Sequence, residues 1–522
     1  ARAPQSAARP WAAARTAGRD RPRRCRCAHR APRARLTHGG VARGVRSGSV
    51  AVYRGLPFAL PPRGALRFAA PVPAPGWQGE RDCSQPGPAA PQVPRGVTGT
   101  VQGDADCLHL SVWAPLAATP DAALPVMVWV HGGGFMRGSA SEALYDGAAF
   151  ARGGVVFVSL QYRLGMDGFM HFPGVPANRG LLDLQEGLRW VQREIGHFGG
   201  DPQRVTLFGQ SAGAGAVACL MSMPAARGLF QQVALQSPSV TCHSLADAAL
   251  SREAIAGVLQ VPATQQALAA QPLPEVLRAV QCLAADAALR QRWGLGPRHF
   301  FPLRPVVDGD VLRQAPVAAM QQAWAGQGGG GLRGLLVGAN AQEMRLYHVP
   351  TGAIGRFADA DVQAFSTQMG LPDRAVSTYA RQLGTAHAGE LLCQMQTDGY
   401  YRAPARQIAR AGAASRQPTY LYAFDWQSPQ WRGQLGAAHG VDLPFVFQTL
   451  DTPAGRELVG PAPPAALAPA MHGAWLRFAR DGDPGWPAHT AQEPWHMRFN
   501  AGSRSELAPA SDACLDLWDA AG

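Results

Sequence analysis

The chain has 522 residues, of which 47% are hydrophobic and 16% are charged, a composition typical of a globular protein. It contains no lysine, which excludes a P-loop and a Schiff-base nucleophile, and no apolar run reaches the ~18 residues of a membrane span. Most of the net charge of +12 comes from residues 1–36, which hold eleven arginines and one aspartate, so the charge does not indicate a nucleic-acid-binding face.

Residues 1–36 form a segment rich in alanine, arginine and proline, with no apolar stretch of 7–15 residues. This composition predicts a disordered tail rather than a secretory signal peptide, so we expect a cytoplasmic protein with reduced thiols. The tail contains Cys25-x-Cys27-x-His29, which lacks a fourth ligand, and we predict no metal site there. From residue 37 to residue 522 we expect a single domain of unknown oligomeric state.

Apolar runs alternate with helical patterns along this domain. Near-continuous apolar runs predict strands buried on both faces of a sheet, and the pattern over 181–195 predicts a helix between two of them. The alternation favours an α/β fold with a central, mostly parallel sheet flanked by helices. Residues 240–300 and 356–415 are predicted to be helical excursions that cover the carboxyl-terminal edge of the sheet. The predicted strands are 50–53, 108–113, 125–130, 155–158, 205–208 and 334–338.

The strand over 205–208 runs into Gly209-Gln210-Ser211-Ala212-Gly213, a G-x-S-x-G pattern. Between a strand and a helix, this pattern places a serine hydroxyl at the apex of a turn too sharp for bulky neighbours. The alternative is an ordinary helix start capped by a serine. Because residues 212–220 are small and compatible with a helix, we predict that Ser211 is the nucleophile of an α/β-hydrolase.

A second glycine-rich segment follows the predicted strand 125–130, where residues 131–135 read His-Gly-Gly-Gly-Phe. Consecutive glycines after a buried strand let backbone N–H groups converge on one point, where they can stabilise an oxyanion. In α/β-hydrolases this loop acts together with the N–H of the residue after the nucleophile, here Ala212. A plain glycine-rich turn is the alternative, but the serine motif favours an oxyanion hole.

A serine nucleophile also needs a base and an acid, which in this fold follow it in the order serine, acid, histidine. Among the 14 histidines, His439 lies well downstream in a loop of small residues before an apolar run. Glu343 follows the strand 334–338 at the edge where sites in parallel sheets gather, although a glutamate in the first turn of a helix is an equal alternative. The rival histidines are His348, His387 and His472.

Further short motifs occur in order along the chain, at 55–62, 67–68, 106–110, 162–165, 180–183, 198–202, 235–237, 307–309 and 478–480. With the two glycine-rich motifs, they make residues 37–518 resemble the type-B carboxylesterases of the carboxylesterase/cholinesterase family, and its bacterial members in particular. The resemblance implies hydrolysis of small-molecule carboxylic esters through an acyl-enzyme on Ser211, with Glu343 as acid and His439 as base. It also implies an oxyanion hole of Gly133, Gly134 and Ala212, and no metal or organic cofactor.

Two charged positions differ from the pattern of that family. Gln210 stands where the family usually has glutamate, which removes a negative charge beside the base. Ala105 replaces the glutamate that normally meets Arg67, and we expect Asp104 to take its place.

The region before residue 107 differs from the family as well. Many members pair the cysteine at the position of Cys107 with one at the position of Ala90, and the pairing of Cys107 with Cys83 is left open. Residues 91–106 contain no aromatic residue, whereas cholinesterases bind a quaternary ammonium with a tryptophan from this loop. This difference argues against a choline ester as the substrate.

Two other kinds of function use the same features. A non-catalytic binding protein could share the scaffold, but all three candidates for the triad are present. An acyltransferase, or a hydrolase of amides or carbamates, would use the same triad, so the sequence leaves these open.

Overall fold

A computed structural model describes residues 31–93, 100–296, 300–324, 332–415, 417–508 and 512–520. Most of the predicted tail, with the Cys25-x-Cys27-x-His29 pattern, lies outside these residues. Arg33–Arg35, which lies before the predicted boundary at residue 37, forms a strand. None of the described helices combines the length and apolar character that crossing a membrane requires.

The described strands build one large sheet and one small sheet. In chain order they are β1 (Arg33–Arg35), β2 (Val41–Arg43), β3 (Val45–Ser47), β4 (Val50–Pro57), β5 (Glu80–Asp82), β6 (His109–Pro115), β7 (Leu124–Val130), β8 (Val156–Leu160), β9 (Gly200–Gln210), β10 (Gln232–Gln236), β11 (Gly334–Asn340), β12 (Thr419–Phe424), β13 (Trp495–Phe499) and β14 (Arg504–Leu507). The large sheet has the order β14-β13-β12-β11-β10-β9-β7-β8-β6-β4-β3, and the small one β1-β2-β5.

The centre of the large sheet is parallel. Strands β8, β7, β9, β10, β11, β12 and β13 run in one direction, whereas β14 and the strands from β6 to β3 pair antiparallel. Both faces are buried: Met127 and Trp129 of β7 belong to one apolar core, and Val128 and Val130 to the other. This double burial explains the near-continuous apolar run in the sequence and confirms the predicted fold class.

Helices flank the sheet on both faces. In chain order they are α1 (Ala148–Arg152), α2 (Gly165–Phe169), α3 (Arg179–Glu194), α4 (Ala212–Ser222), α5 (Leu245–Leu259), α6 (Gln265–Ala269), α7 (Leu273–Ala285), α8 (Ala287–Arg292), α9 (Pro316–Trp324), α10 (Arg345–His348), α11 (Asp359–Gln368), α12 (Ala375–Leu383), α13 (Ala388–Thr397), α14 (Ala403–Ala414), α15 (Leu443–Phe447), α16 (Pro453–Val459), α17 (Leu467–Asp481) and α18 (Asp516–Ala520). A π-helical turn, Asp398–Arg402, joins α13 to α14.

The register of the parallel strands brings the predicted site segments to one edge. Val130 at the end of β7 pairs with Gly209 of β9, and Gln236 of β10 pairs with both Gln210 and Gly338. The segments that follow β7, β9 and β11 therefore emerge side by side at the carboxyl ends of the strands, where ligands bind in open α/β sheets.

Candidate active site

Ser211 occupies a strained turn between β9 and α4. Its φ of +60° and ψ of −127° lie in a region that L-residues rarely adopt, which costs about 1–3 kcal/mol. The turn is held by backbone hydrogen bonds, since the N–H of Ser211 donates to Gln236 O of β10 at 2.9 Å and its carbonyl accepts from Gly215 N of α4 at 2.9 Å. The serine thus stands ahead of the N-terminus of an eleven-residue helix, an environment that favours negative charge.

The two glycines of the motif allow the backbones to cross at close range. A Cβ on Gly209 would lie 2.7 Å from the carbonyl carbon of Gly213, and a Cβ on Gly213 would overlap the carbonyl oxygen of Val130. Any side chain at these positions would push α4 away from the ends of β7 and β9. The predicted strand–turn–helix setting is therefore present in full.

The glycine-rich loop after β7 turns toward the serine. Gly133 and Gly134 have φ values of +116° and +65°, and a Cβ on Gly134 would lie 2.6 Å from the ring of Phe301. Among the hydrogen bonds of the described residues, none is donated by the backbone N–H groups of Gly133, Gly134 or Ala212. Within the described residues these three N–H groups are therefore open to an incoming oxygen, which is what an oxyanion hole requires.

Glu343 and His439 meet across 96 residues of sequence. His439 Nδ1 donates to Glu343 Oε2 at 2.6 Å, and the side chains are 6% and 0% exposed. Glu343 lies in the turn between β11 and α10, where its Oε1 accepts from Asn340 N at 2.7 Å. The backbone N–H of His439 also donates to Glu343 O at 3.1 Å, so the two loops are fixed to each other in two ways.

The rival histidines lie elsewhere. His348 bonds to Gln396 Oε1 at 2.7 Å, and His387 caps α13 by accepting from Glu390 N. His472 bonds to Val446 O at 2.8 Å and packs against Phe150 in the core on the other side of the sheet. The three-dimensional contact with Glu343 therefore distinguishes His439.

Sequence reasoning missed a buried polar network behind these two side chains. Asp442 accepts from Gln236 Nε2 at 2.8 Å and from Asn340 Nδ2 at 3.2 Å. Asn340 Nδ2 also donates to Ala438 O at 2.7 Å, next to the histidine. The pKa of Asp442 is raised from its ordinary value of 3.8 to about 6. Burial of the carboxyl group is the larger cause, and the charge of Glu343 is the next. Its signal in the sequence is that it is the one acidic residue in the small and apolar stretch 435–447.

Gln210 also contacts the histidine. Its Nε2 lies 3.1 Å from His439 Nε2, the ring nitrogen that faces away from Glu343. Ser211 Oγ, in contrast, makes no hydrogen bond to any described residue. The sequence indicated the missing charge at position 210, but not that the amide reaches the base.

A cleft of about 1090 Å³ opens beside the site. Its wall contains residues that follow β7 and β11 and residues of the two predicted helical excursions. The excursions therefore cover the carboxyl-terminal edge of the sheet, as predicted. Phe301 contacts the glycine loop, and the ring of Tyr347 lies 5.7 Å from that of His439. The aromatic residues of the lining are Phe300, Phe301, Tyr347, Phe357, Phe365 and Tyr400.

One expectation outside the site was wrong. Arg67 pairs with Asp167 of α2 at 3.1 Å, while Asp104 pairs with Arg63. Asp167, rather than the loop aspartate, therefore supplies the carboxylate beside Arg67.

The question left open about the cysteines has an answer in the described residues. Cys83 and Cys107 are both buried and both free, so they do not form a disulfide. No cluster of three His, Cys, Asp or Glu side chains in the described part of the chain has the spacing of a metal site.

Comparison with known proteins decides the family. The model of the carboxylesterase family matches residues 32–512, nearly the whole chain. The protein belongs to the carboxylesterase family. This carboxylesterase is 33% identical over 508 residues to the para-nitrobenzyl esterase of Bacillus subtilis strain 168, a match that covers 93% of this chain and 98% of the relative. It is 31% identical to human cocaine esterase, covering 89% and 87% of the two chains.

Solved structures agree with this assignment. A carboxylesterase of Geobacillus stearothermophilus superposes with a TM-score of 0.79 at 32% identity, covering 94% of this chain and 99% of that one. A para-nitrobenzyl esterase superposes with a TM-score of 0.76 at 30% identity, covering 93% and 99%. The carboxylesterase is thus a serine hydrolase of carboxylic esters with the α/β-hydrolase fold, and no comparison favours a binding protein or an acyltransferase.

Proposed function

We propose that Ser211, His439 and Glu343 carry out the ester hydrolysis, with Gly133, Gly134 and Ala212 as the oxyanion hole. The observation that carries the proposal is the 2.6 Å contact between Glu343 Oε2 and His439 Nδ1 beside a serine held in a strained turn. Because a carboxylate only accepts, the proton of the neutral imidazole sits on Nδ1 and leaves the lone pair on Nε2 for the serine.

The chemistry proceeds in two stages. As Ser211 Oγ attacks the ester carbonyl, its proton passes to His439 Nε2, and the three N–H groups stabilise the negative oxygen of the tetrahedral intermediate. His439 then protonates the leaving alcohol, which departs and leaves an acyl group on Ser211. Water, deprotonated by the same imidazole, releases the carboxylic acid and restores the serine.

The cleft supports a proposal about the substrate. Six aromatic side chains line a volume of about 1090 Å³, large enough for more than a short alkyl ester, and two of them contact the proposed machinery. Aromatic rings bury large areas and prefer ring partners. We therefore propose that the carboxylesterase prefers esters that carry an aromatic group.

Replacement of the nucleophile tests the assignment of the triad. Ser211→Ala should lower the turnover of p-nitrophenyl butyrate by roughly four to six orders of magnitude, since the triad acts as a unit. A fluorophosphonate probe should label the wild type and not the variant, and Gln203→Glu, at the exposed start of β9, serves as the control. Undiminished turnover in the alanine variant would refute the assignment.

A matched pair of esters tests the aromatic preference. Benzyl butyrate should show a kcat/KM roughly 10- to 100-fold above that of ethyl butyrate when acid release is followed by titration, because burial of a ring contributes ~1–3 kcal/mol. Both leaving groups are simple primary alcohols, so the ratio reports binding in the cleft. Phe300→Ala should reduce the ratio, and equal values in the wild type would contradict the preference.

A further inference from the structure

Gln210 is the residue that contacts the proposed base from the side of the nucleophile. It is the last residue of β9, its side chain is almost fully buried, and its Nε2 lies 3.1 Å from His439 Nε2. The next residue is Ser211, which must use the same nitrogen to lose its proton. In the resting site, therefore, an amide occupies the hydrogen-bonding position that the nucleophile needs.

The chemistry of an amide suits both protonation states of this nitrogen. When the ring is neutral, Nε2 carries a lone pair, and the Nε2–H of Gln210 donates to it. When the ring has taken a proton, Nε2 becomes a donor, and a half-turn about the terminal bond of the glutamine presents Oε1 as the acceptor. A carboxylate at this position could pair only with the charged ring, and an apolar side chain with neither form.

Gln210 contacts Nε2 of the imidazole, whereas the other groups around the ring lie on the side of Nδ1 or beside the ring. Glu343 faces Nδ1, and Asp442 lies behind it in the network with Asn340. Tyr401 and Tyr347 place their rings 4.7 and 5.7 Å from the imidazole. Burial raises the pKa of Tyr401 well above its ordinary value, so it carries no charge at neutral pH.

The glycine loop also carries a titratable side chain. His131 is fully buried, and burial lowers its pKa to about 4, so it is neutral in the working range. The carboxyl groups of Glu343 and Asp442 thus lie on the side of Nδ1, while Nε2 faces a neutral amide.

We propose that Gln210 is a positioning residue that holds Nε2 of His439 in the resting enzyme and bonds to the imidazolium after proton transfer. The inference rests on the proposed role of His439 as the base. The proton itself travels from Ser211 Oγ to His439 Nε2 and then to the leaving alcohol, so Gln210 neither gains nor loses one. The amide adds no charge beside Nε2, whereas a carboxylate there would favour the charged ring.

The pH profile of two variants tests the proposal. Gln210→Glu should move the acid limb of the kcat/KM profile up by about one pH unit or more, because a carboxylate near an imidazole favours its charged form. Gln203→Glu is the matched control, since it adds the same charge at the exposed end of the same strand, roughly 20 Å away, and should leave the limb in place. A limb that moves equally in both variants, or in neither, would overturn the proposal.

A second variant decides the matter if the buried glutamate prevents folding. Gln210→Met keeps the length of the side chain but removes both hydrogen bonds, and should lower kcat at least tenfold with KM changed less than threefold. A kcat within twofold of the wild type would overturn the role of Gln210. Fluorophosphonate labelling of Ser211 separates the two hypotheses: an unlabelled wild type refutes the triad, whereas a labelled protein with unaltered Gln210 variants refutes only the positioning role.

Discussion

Asp442 is a carboxylate without exposed surface that takes no direct part in the proposed chemistry. It accepts hydrogen bonds from Gln236 and Asn340, and Asn340 also bonds to the loop of the base through Ala438 O and to Glu343 through its backbone N–H. The network links the loop of Glu343 to the loop of His439 and so fixes the distance between them. Its cost is the burial of a charge, which is the cause of the raised pKa.

This raised pKa makes a prediction about stability. The native carboxyl binds its proton more tightly than the unfolded chain does, so its stabilising effect is complete below about pH 4 and is lost as the pH rises through about 6. The loss at neutral pH is on the order of 3 kcal/mol. Asp442→Asn cannot ionise, so its free energy of unfolding should rise relative to that of the wild type between pH 4 and pH 6.5 in urea titrations.

The control is an aspartate whose side chain is exposed to solvent. Asp451→Asn replaces the carboxyl group of a side chain that is 98% exposed and should give a difference that does not change with pH over this range. A pH-independent difference for Asp442→Asn as well would show that Asp442 has an ordinary pKa.

At the scale of elements, the elbow between β9 and α4 depends on the absence of a side chain at residue 213. Gly213→Ala would place a methyl group against the carbonyl oxygens of Val130 and His131, and backbone cannot move aside as a side chain can. We expect a loss of at least ~2 kcal/mol in the free energy of unfolding and a fall in ester turnover. Gly196→Ala is the control, because a Cβ at residue 196 meets no atom within 4 Å, and it should change the free energy of unfolding by less than ~0.5 kcal/mol. Both variants are compared with the wild type by thermal unfolding. Equal losses of stability in the two variants would contradict the requirement for glycine at residue 213.

Strands buried on both faces could be predicted from the sequence because burial on both sides requires apolar residues at nearly every position. The run that became β7 is apolar at every position, and the glycines around Ser211 and at 133–134 are required by close backbone contacts. Contacts between residues far apart in the sequence have no comparable pattern in the sequence. Nothing local to Glu343 or His439 indicates their contact, the partner of Arg67 was assigned to Asp104 instead of Asp167, and the bond from Gln210 to His439 spans 229 residues.

At the scale of the molecule, the excess of positive charge and the proposed catalytic residues lie in different parts of the chain. Nine arginines and one aspartate lie in residues 1–30, whereas the proposed site draws on residues from 131 to 442. A chain without residues 1–30 should keep kcat/KM for p-nitrophenyl butyrate within twofold of the full chain and bind less tightly to a cation-exchange resin. A large loss of turnover would mean that this segment contributes to the hydrolase domain.

The helical excursions have a consequence for how such an enzyme diverges. The proposed nucleophile, acid, base and oxyanion loop all follow strands of one sheet, while much of the cleft wall comes from α7, α8, α11 and α13. Mutations in these helices can reshape what enters the cleft without moving a strand end. The shape of the cleft can therefore change through these helices while the strand ends that carry the proposed catalytic residues stay in place.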